Sequence, residues 1–111
     1  MFYEGSFTND RPNGVGKATY SSGTTYEGQW VDGYPEGDGV CRYQVGTVYE
    51  GIWSKGKRHG FGLLTYPTES YYKGDFLWGR FNGRGEFYSK DTGIKYVGWF
   101  ENGFVAKTGT M

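Results

Sequence analysis

The sequence has little of what an ordinary enzyme or an aliphatic globular core uses. It contains one cysteine, Cys41, and one histidine, His59, among 111 residues. An internal disulfide and a zinc site of the usual four ligands are therefore excluded, and we expect no metal or cofactor. Val, Ile and Leu together supply only 12 residues, and Pro only 3, which excludes an aliphatic core and, without a Gly-X-Y period, collagen.

Net charge and long apolar runs are also missing. Lys and Arg number 12, as do Asp and Glu, so no sequence-independent attraction to nucleic acid is expected. No stretch resembles a signal peptide or a membrane-spanning helix. These features predict a cytoplasmic protein that does not bind nucleic acid.

Aromatic residues and glycines are abundant instead, and they recur every 23 residues. The chain has 11 Tyr, 8 Phe, 4 Trp and 21 Gly. The stretch YEGQWVDGYPEGDG, residues 26–39, aligns with copies that start near residues 3, 49, 72 and 96. The fourth copy has one extra residue before Tyr96, which predicts a bulge or a longer turn. We therefore expect one domain over residues 1–111, made of about four and a half repeats, the last incomplete.

Each copy alternates with the period of two that is typical of β-strands. Tyr26, Gly28 and Trp30 fall on one face, and a second alternating segment starts at Gly37. Gly33 and the following Tyr-Pro-Glu are predicted as the loop between them. Each repeat is thus a β-hairpin and the fold class is all-β, because so many glycines, at about 1 kcal/mol each, oppose a helix.

Glycine weakens a strand, so its place between two aromatics needs a reason. We predict that the missing side chain lets a neighbouring ring lie flat across the backbone. The rings then have two interpretations, core or partner-binding groove, which are compatible with each other. The residues concerned are Tyr26, Trp30, Tyr43, Tyr49, Trp53, Tyr66, Tyr72 and Phe76.

Catalytic chemistry has little support. His59 lies in a predicted loop without a partner for acid–base work, and Cys41 alternates onto the aromatic face as a small packing residue. The cluster Lys55, Lys57, Arg58 and His59 is a candidate contact for an anion or a lipid headgroup, with solvated loop residues as the alternative. The other repeats have no such cluster.

Aromatic side chains outside the repeat frame raise the question of oligomers. Trp78, Phe81 and Phe104 fall in predicted turns. They are expected either to cover a sheet end or to dimerise, since an open array leaves edge strands near residues 2–7 and 96–101.

The pattern Tyr-x-Gly-x-(Trp or Phe)-x-x-Gly-x-x-x-Gly-x-Gly, present as YEGQWVDGYPEGDG and YEGIWSKGKRHGFG, resembles the MORN (membrane occupation and recognition nexus) repeat. The resemblance covers nearly the whole chain, with Asp10 in place of the first loop glycine. It implies an elongated, twisted single-layer antiparallel sheet of consecutive hairpins. It also implies a non-catalytic module that binds proteins, often near the cytoskeleton, cilia or membranes.

These observations predict a scaffold that binds a protein or peptide through the aromatic face or the sheet ends. One alternative is an adaptor to anionic membrane lipids through the Lys57, Arg58 and His59 loop. Another is a targeting fragment of a larger enzyme, because some MORN-containing proteins carry a kinase or methyltransferase domain.

Overall fold

The computed structural model describes residues 1–106, which form ten β-strands and no helix. Each strand pairs antiparallel with the next along the chain, so the order in the single open sheet runs from β1 to β10. The strands are β1 (Phe2–Thr8), β2 (Arg11–Thr19), β3 (Thr25–Val31), β4 (Tyr34–Arg42), β5 (Val48–Ser54), β6 (Lys57–Thr65), β7 (Tyr71–Leu77), β8 (Arg80–Ser89), β9 (Ile94–Glu101) and β10 (Phe104–Val105).

The sheet is a single elongated layer. Its Cα atoms extend over 49 × 26 × 16 Å, and the long dimension matches ten strands spaced about 4.8 Å apart. The all-β fold of consecutive antiparallel hairpins is therefore confirmed. The end of the incomplete fifth repeat, residues 107–111, lies outside the described residues.

The hairpin within each repeat closes with a two-residue turn, which differs from the predicted loop. In the second repeat only Asp32 and Gly33 form the turn, with φ of 48° and 89°, and β4 already begins at Tyr34. Two successive positive φ values are characteristic of the type I′ turn, whose twist matches that of the strands. Tyr-Pro-Glu therefore belongs to the strand, and the predicted loop was too long.

A β-bulge beside the paired glycines accommodates the residues of the predicted loop within the strand. In the second repeat Gly28 pairs with Gly39, but Trp30 pairs with Pro35, so three residues of β4 lie opposite one residue of β3. The same shift occurs in the first, third and fourth repeats. Bulges of this kind bend a strand locally.

The extra residue of the fourth copy extends the β8–β9 ladder by one pair and does not lengthen the turn. In the turn that joins the first two repeats, the Tyr20 N–H donates to Thr24 O at 2.9 Å. The β8–β9 ladder continues without a shift to Ser89 and Ile94. Only four residues, 90–93, separate these two strands, whereas five, 20–24, separate β2 from β3. The structure therefore has neither the predicted bulge nor the predicted longer turn.

Candidate interaction surface

A tyrosine ring covers a pair of glycines in every complete repeat. Gly28 and Gly39 face each other on β3 and β4, and a Cβ atom placed on Gly39 would overlap the ring of Tyr26. A Cβ atom on Gly28 would lie 2.5 Å from the Cα atom of Gly39. Neither position has room for a side chain, so the prediction that these glycines accommodate flat rings is confirmed.

From the second repeat onwards, the Trp or Phe of each repeat connects it to the preceding repeat. The ring of Trp53 makes edge-to-face contacts with Tyr26 at 5.2 Å and with Tyr49 at 5.1 Å. Its Nε1–H donates to Gly39 O at 3.2 Å, while the Tyr49 hydroxyl donates to Ile52 O at 2.8 Å. Such ring pairs contribute about 0.5–1.5 kcal/mol beyond their buried area. Contacts between adjacent hairpins therefore replace a second layer.

Burial divides the eight predicted aromatic residues into two groups. Six belong to the core with exposures of 0–6%, which confirms the core interpretation for them: Tyr26, Trp30, Tyr49, Trp53, Tyr72 and Phe76. Such exposures leave these side chains almost no surface for a partner. Tyr43 and Tyr66 are only partly buried and pack over the core, so their predicted contact with a partner stays a prediction.

Arg58 lies on the aromatic face and is not a loop residue. It is on β6, where its guanidinium carbon lies 5.8 Å from the ring centroid of Tyr49 and 5.4 Å from that of Phe76. Its Nη2 atom donates to Gly79 O at 2.7 Å. In the next repeat the equivalent position is Phe81, which is on β8 and not in the predicted turn.

His59 contacts the neighbouring hairpin turn. Its Nδ1 atom accepts the Trp78 N–H at 3.3 Å, and the two rings lie 4.3 Å apart. Glu36 accepts the Lys55 N–H at 2.9 Å in the preceding pair of turns. His59 is thus a structural contact on β6, and the predicted loop placement of His59 and Lys57 is wrong. Lys55 does lie in a turn.

A groove of about 500 Å³ lies over the core of the first three repeats. Tyr34, which is 58% exposed, and the partly buried Tyr43 contribute aromatic surface. Lys55 and Lys57 are its charged lining residues, and no carboxylate is among them. The remaining lining residues are Met1, Tyr20, Tyr26, Trp30, Gly33, Pro35, Cys41, Trp53 and Gly56.

Sequence reasoning missed Tyr20 and Tyr34 as groove residues. Tyr20 has the same phase as Tyr43 in the repeat, which is a signal that could have identified it. Tyr34 follows the Asp-Gly turn directly, and its equivalent is aromatic only in the incomplete fifth repeat, as Phe104. The other complete repeats have Arg11, Lys57 and Arg80 there, so the repeat pattern gives only a weak signal.

A family model for the MORN repeat matches residues 3–25, 26–48, 49–71 and 72–93. The chain belongs to the MORN-repeat family. No curated protein matches it. MORN repeats are generally non-catalytic modules, which agrees with a face built from rings and glycines.

Burial favours the neutral forms of the tyrosines and of Cys41 on this MORN face. It raises the pKa of Tyr43 and of Tyr49 to about 12, and it raises the pKa of the Cys41 thiol. Loss of water disfavours the charged form of each group. The tyrosines therefore donate hydrogen bonds, and Cys41, 5% exposed, is a packing residue as predicted.

Among residues 1–106, no group of three or more His, Cys, Asp or Glu side chains is placed to hold a metal ion. None of these residues forms a helix long and apolar enough to cross a membrane.

Proposed function

We propose that this MORN array is a non-catalytic scaffold that binds an extended peptide segment of a partner protein in the groove over its first three repeats. The observation that carries the proposal is the position of Tyr34 and Tyr43 beside Lys55 and Lys57, above a floor of buried rings. Tyrosine provides a large, amphipathic contact surface and is enriched at binding hot spots.

The groove favours an acidic segment with apolar side chains. Its volume of about 500 Å³ lies within the range of about 300–1,000 Å³ usual for ligand sites. Lys55 and Lys57 would attract carboxylates, because no acidic residue among the lining residues neutralises them. The floor is held by inter-repeat ring contacts, so little ordering accompanies binding, which improves affinity.

Groove variants test this proposal. A library of extended peptides is screened for binding, and the affinity of the best ligand is then measured by calorimetry. Tyr34→Ala and Lys57→Glu each remove surface outside the core, so we expect at least about tenfold weaker binding and an unchanged melting temperature. Val45→Ala, at a position 71% exposed and away from the groove lining, is the matched control. Full affinity in both groove variants would contradict the proposal.

A second candidate is contact with anionic lipid at the tips of the third and fourth hairpins. The observation in its favour is that Lys55 and Lys57 are exposed next to a turn that presents Trp78, which is 51% exposed. Basic residues beside an exposed indole are suited to the membrane interface. Arg58 is left out of this site because it packs on the core.

Vesicle co-sedimentation tests the lipid candidate. We expect binding to vesicles that contain phosphatidylserine and none to phosphatidylcholine vesicles. Lys55→Glu combined with Lys57→Glu should reduce binding at least about tenfold, since each basic residue contributes about 1 kcal/mol near an anionic surface. Binding that persists in this variant would exclude these lysines as the contact.

The cellular setting and a possible larger enzyme are proposals from the family resemblance. We propose a cytoplasmic location associated with the cytoskeleton or cilia, which imaging of the tagged protein would test. The sequence of the full transcript would test whether a catalytic domain accompanies the array.

A further inference from the structure

The face opposite the aromatic core, here called the open face, carries an ordered row of charges. The row crosses β1 to β9 through directly paired residues, from Glu4 on β1 to Val97 on β9. Its side chains are, in order, acidic, basic, acidic, apolar, acidic, apolar, basic, acidic and apolar. Paired residues share one face of a sheet, so the row is a continuous surface feature.

Three symmetric pairs of positions in this row are complementary when its order is reversed. Counting inward from the two ends, the first pair is acidic with apolar, the next two are acidic with basic, and the fourth is apolar with apolar. The three complementary pairs are Lys17 with Glu86, Glu27 with Lys73, and Val40 with Leu63. The central position, Glu50, meets itself.

We propose that two copies of the chain pack open face against open face as an antiparallel homodimer. A twofold axis parallel to the strands and over β5 reverses the strand order and places the row of one copy against the same row of the other. Glu27 then faces Lys73 of the second copy, and Lys17 faces Glu86. This surface is distinct from the aromatic groove, so the dimer leaves the proposed peptide site free.

Exposed apolar side chains give the open face area to bury. Phe61, Val97 and Trp99 are each 55% exposed, and Val15 is 66% exposed. Phe61 lies opposite Asp75, and Trp99 lies opposite Arg84. Large apolar side chains between charges are typical of a surface that associates.

The dimensions of the sheet suit face-to-face packing. Its Cα extents of 49 × 26 × 16 Å describe a twisted layer that is wider than it is thick, and a twofold axis parallel to the strands gives two facing layers the same direction of twist. Two such layers pack about 10 Å apart in sandwiches. A face of this size exceeds the roughly 800 Å² per partner that standard interfaces bury.

Charge reversal tests the arrangement without ambiguity. Glu27 and Lys73 lie four strands apart, about 19 Å at the usual strand spacing, so they make no contact within one copy. Glu27→Lys and Lys73→Glu should each weaken dimerisation at least about tenfold, because each change makes two symmetric contacts repulsive. The double variant should restore it. Sedimentation velocity over a dilution series up to about 1 mM measures the association.

Mixing the two single variants provides an independent arm. One copy then carries two lysines and the other two glutamates at the facing positions, so we expect a heterodimer about as strong as the parent dimer. Asp91→Lys, in the exposed β8–β9 turn, is the control with the same charge change. Circular dichroism confirms folding of each variant.

The outcomes separate this proposal from the peptide site. A parent protein that stays monomeric throughout the dilution series would overturn it, as would a double variant weaker than either single one. Glu50→Gln should strengthen the dimer severalfold, because it removes a like-charge contact on the axis. Peptide affinity should not change in any of these variants.

Discussion

Replacing Gly51 by alanine is expected to cost about 3 kcal/mol or more of unfolding free energy, the upper end of the range for atoms inserted into a well-packed core. The new Cβ atom would lie 2.5 Å from Gly62 Cα and 2.7 Å from Phe61 O. Both atoms belong to the backbone of β6, so relief requires opening the β5–β6 ladder. The Tyr49 hydroxyl, 2.8 Å away, would also be displaced.

This loss is large relative to the 5–15 kcal/mol of a typical domain. Urea unfolding followed by tryptophan fluorescence measures it, because Trp30 and Trp53 are buried. Gly51→Val should be at least as severe, although valine has the higher strand propensity. An unfolding free energy within 0.5 kcal/mol of the parent, the usual size of a neutral surface change, would contradict the packing argument.

Gly33→Asn is the matched control at a glycine with free space around it. A Cβ atom at Gly33 meets nothing within 4 Å, although its φ is 89°. Asparagine accepts positive φ better than most residues, and Asp10 occupies the equivalent position with a φ of 64°. We expect a loss below about 1 kcal/mol. Comparing Gly51 with Gly33 separates loss of space from loss of backbone freedom.

The sheet could be predicted because every repeat supplies the same two signals. Glycines and aromatic residues that alternate with a period of two favour a β-strand. The 23-residue period predicts consecutive hairpins along the chain. The turns were predicted less well, although Asp32-Gly33 and Asn102-Gly103 are strong signals of two-residue hairpin turns. The predicted loop is too long because Pro35 and the surrounding polar residues are typical of irregular structure. The bulge accommodates them within the strand.

The groove was only partly predictable. The alternation that predicts Gly60 and Gly62 on the aromatic face also predicts Arg58 there. This relation is lost when Arg58 is assigned to a loop. The division of the rings into buried and half-exposed groups depends on what covers each ring. Phe81 stacks on Tyr72 with centroids 3.8 Å apart, whereas no side chain covers Tyr34 enough to bury it. Such coverage comes from contacts between repeats, which the repeat pattern does not encode.

High pH is expected to unfold the protein, because its core contains ionisable hydroxyls. Tyr49 and Tyr72 are both 0% exposed, and burial raises the pKa of each to about 12. In the unfolded chain both titrate near pH 10, so the native state holds their protons more tightly. Their contribution to stability is complete below pH 10 and is lost as the pH rises towards 12. At about 1.4 kcal/mol per unit of pKa, the two together lose about 5 kcal/mol.

Urea unfolding at a series of pH values from about 8 to 12 measures this loss, since the range includes the window of about 10 to 12 between the unfolded and folded pKa values. Tyr49→Phe should reduce this loss by about 3 kcal/mol, two pKa units at about 1.4 kcal/mol each, while it costs about 1 kcal/mol at neutral pH through the hydrogen bond to Ile52 O. A parent midpoint that does not change up to the highest pH would show that the hydroxyls ionise without leaving the core. The expected sensitivity follows from the construction of the array, since each tyrosine that covers a glycine pair also contacts the aromatic residue of the next repeat. Ionisation of one ring therefore weakens the connection between two hairpins as well as the packing of its own.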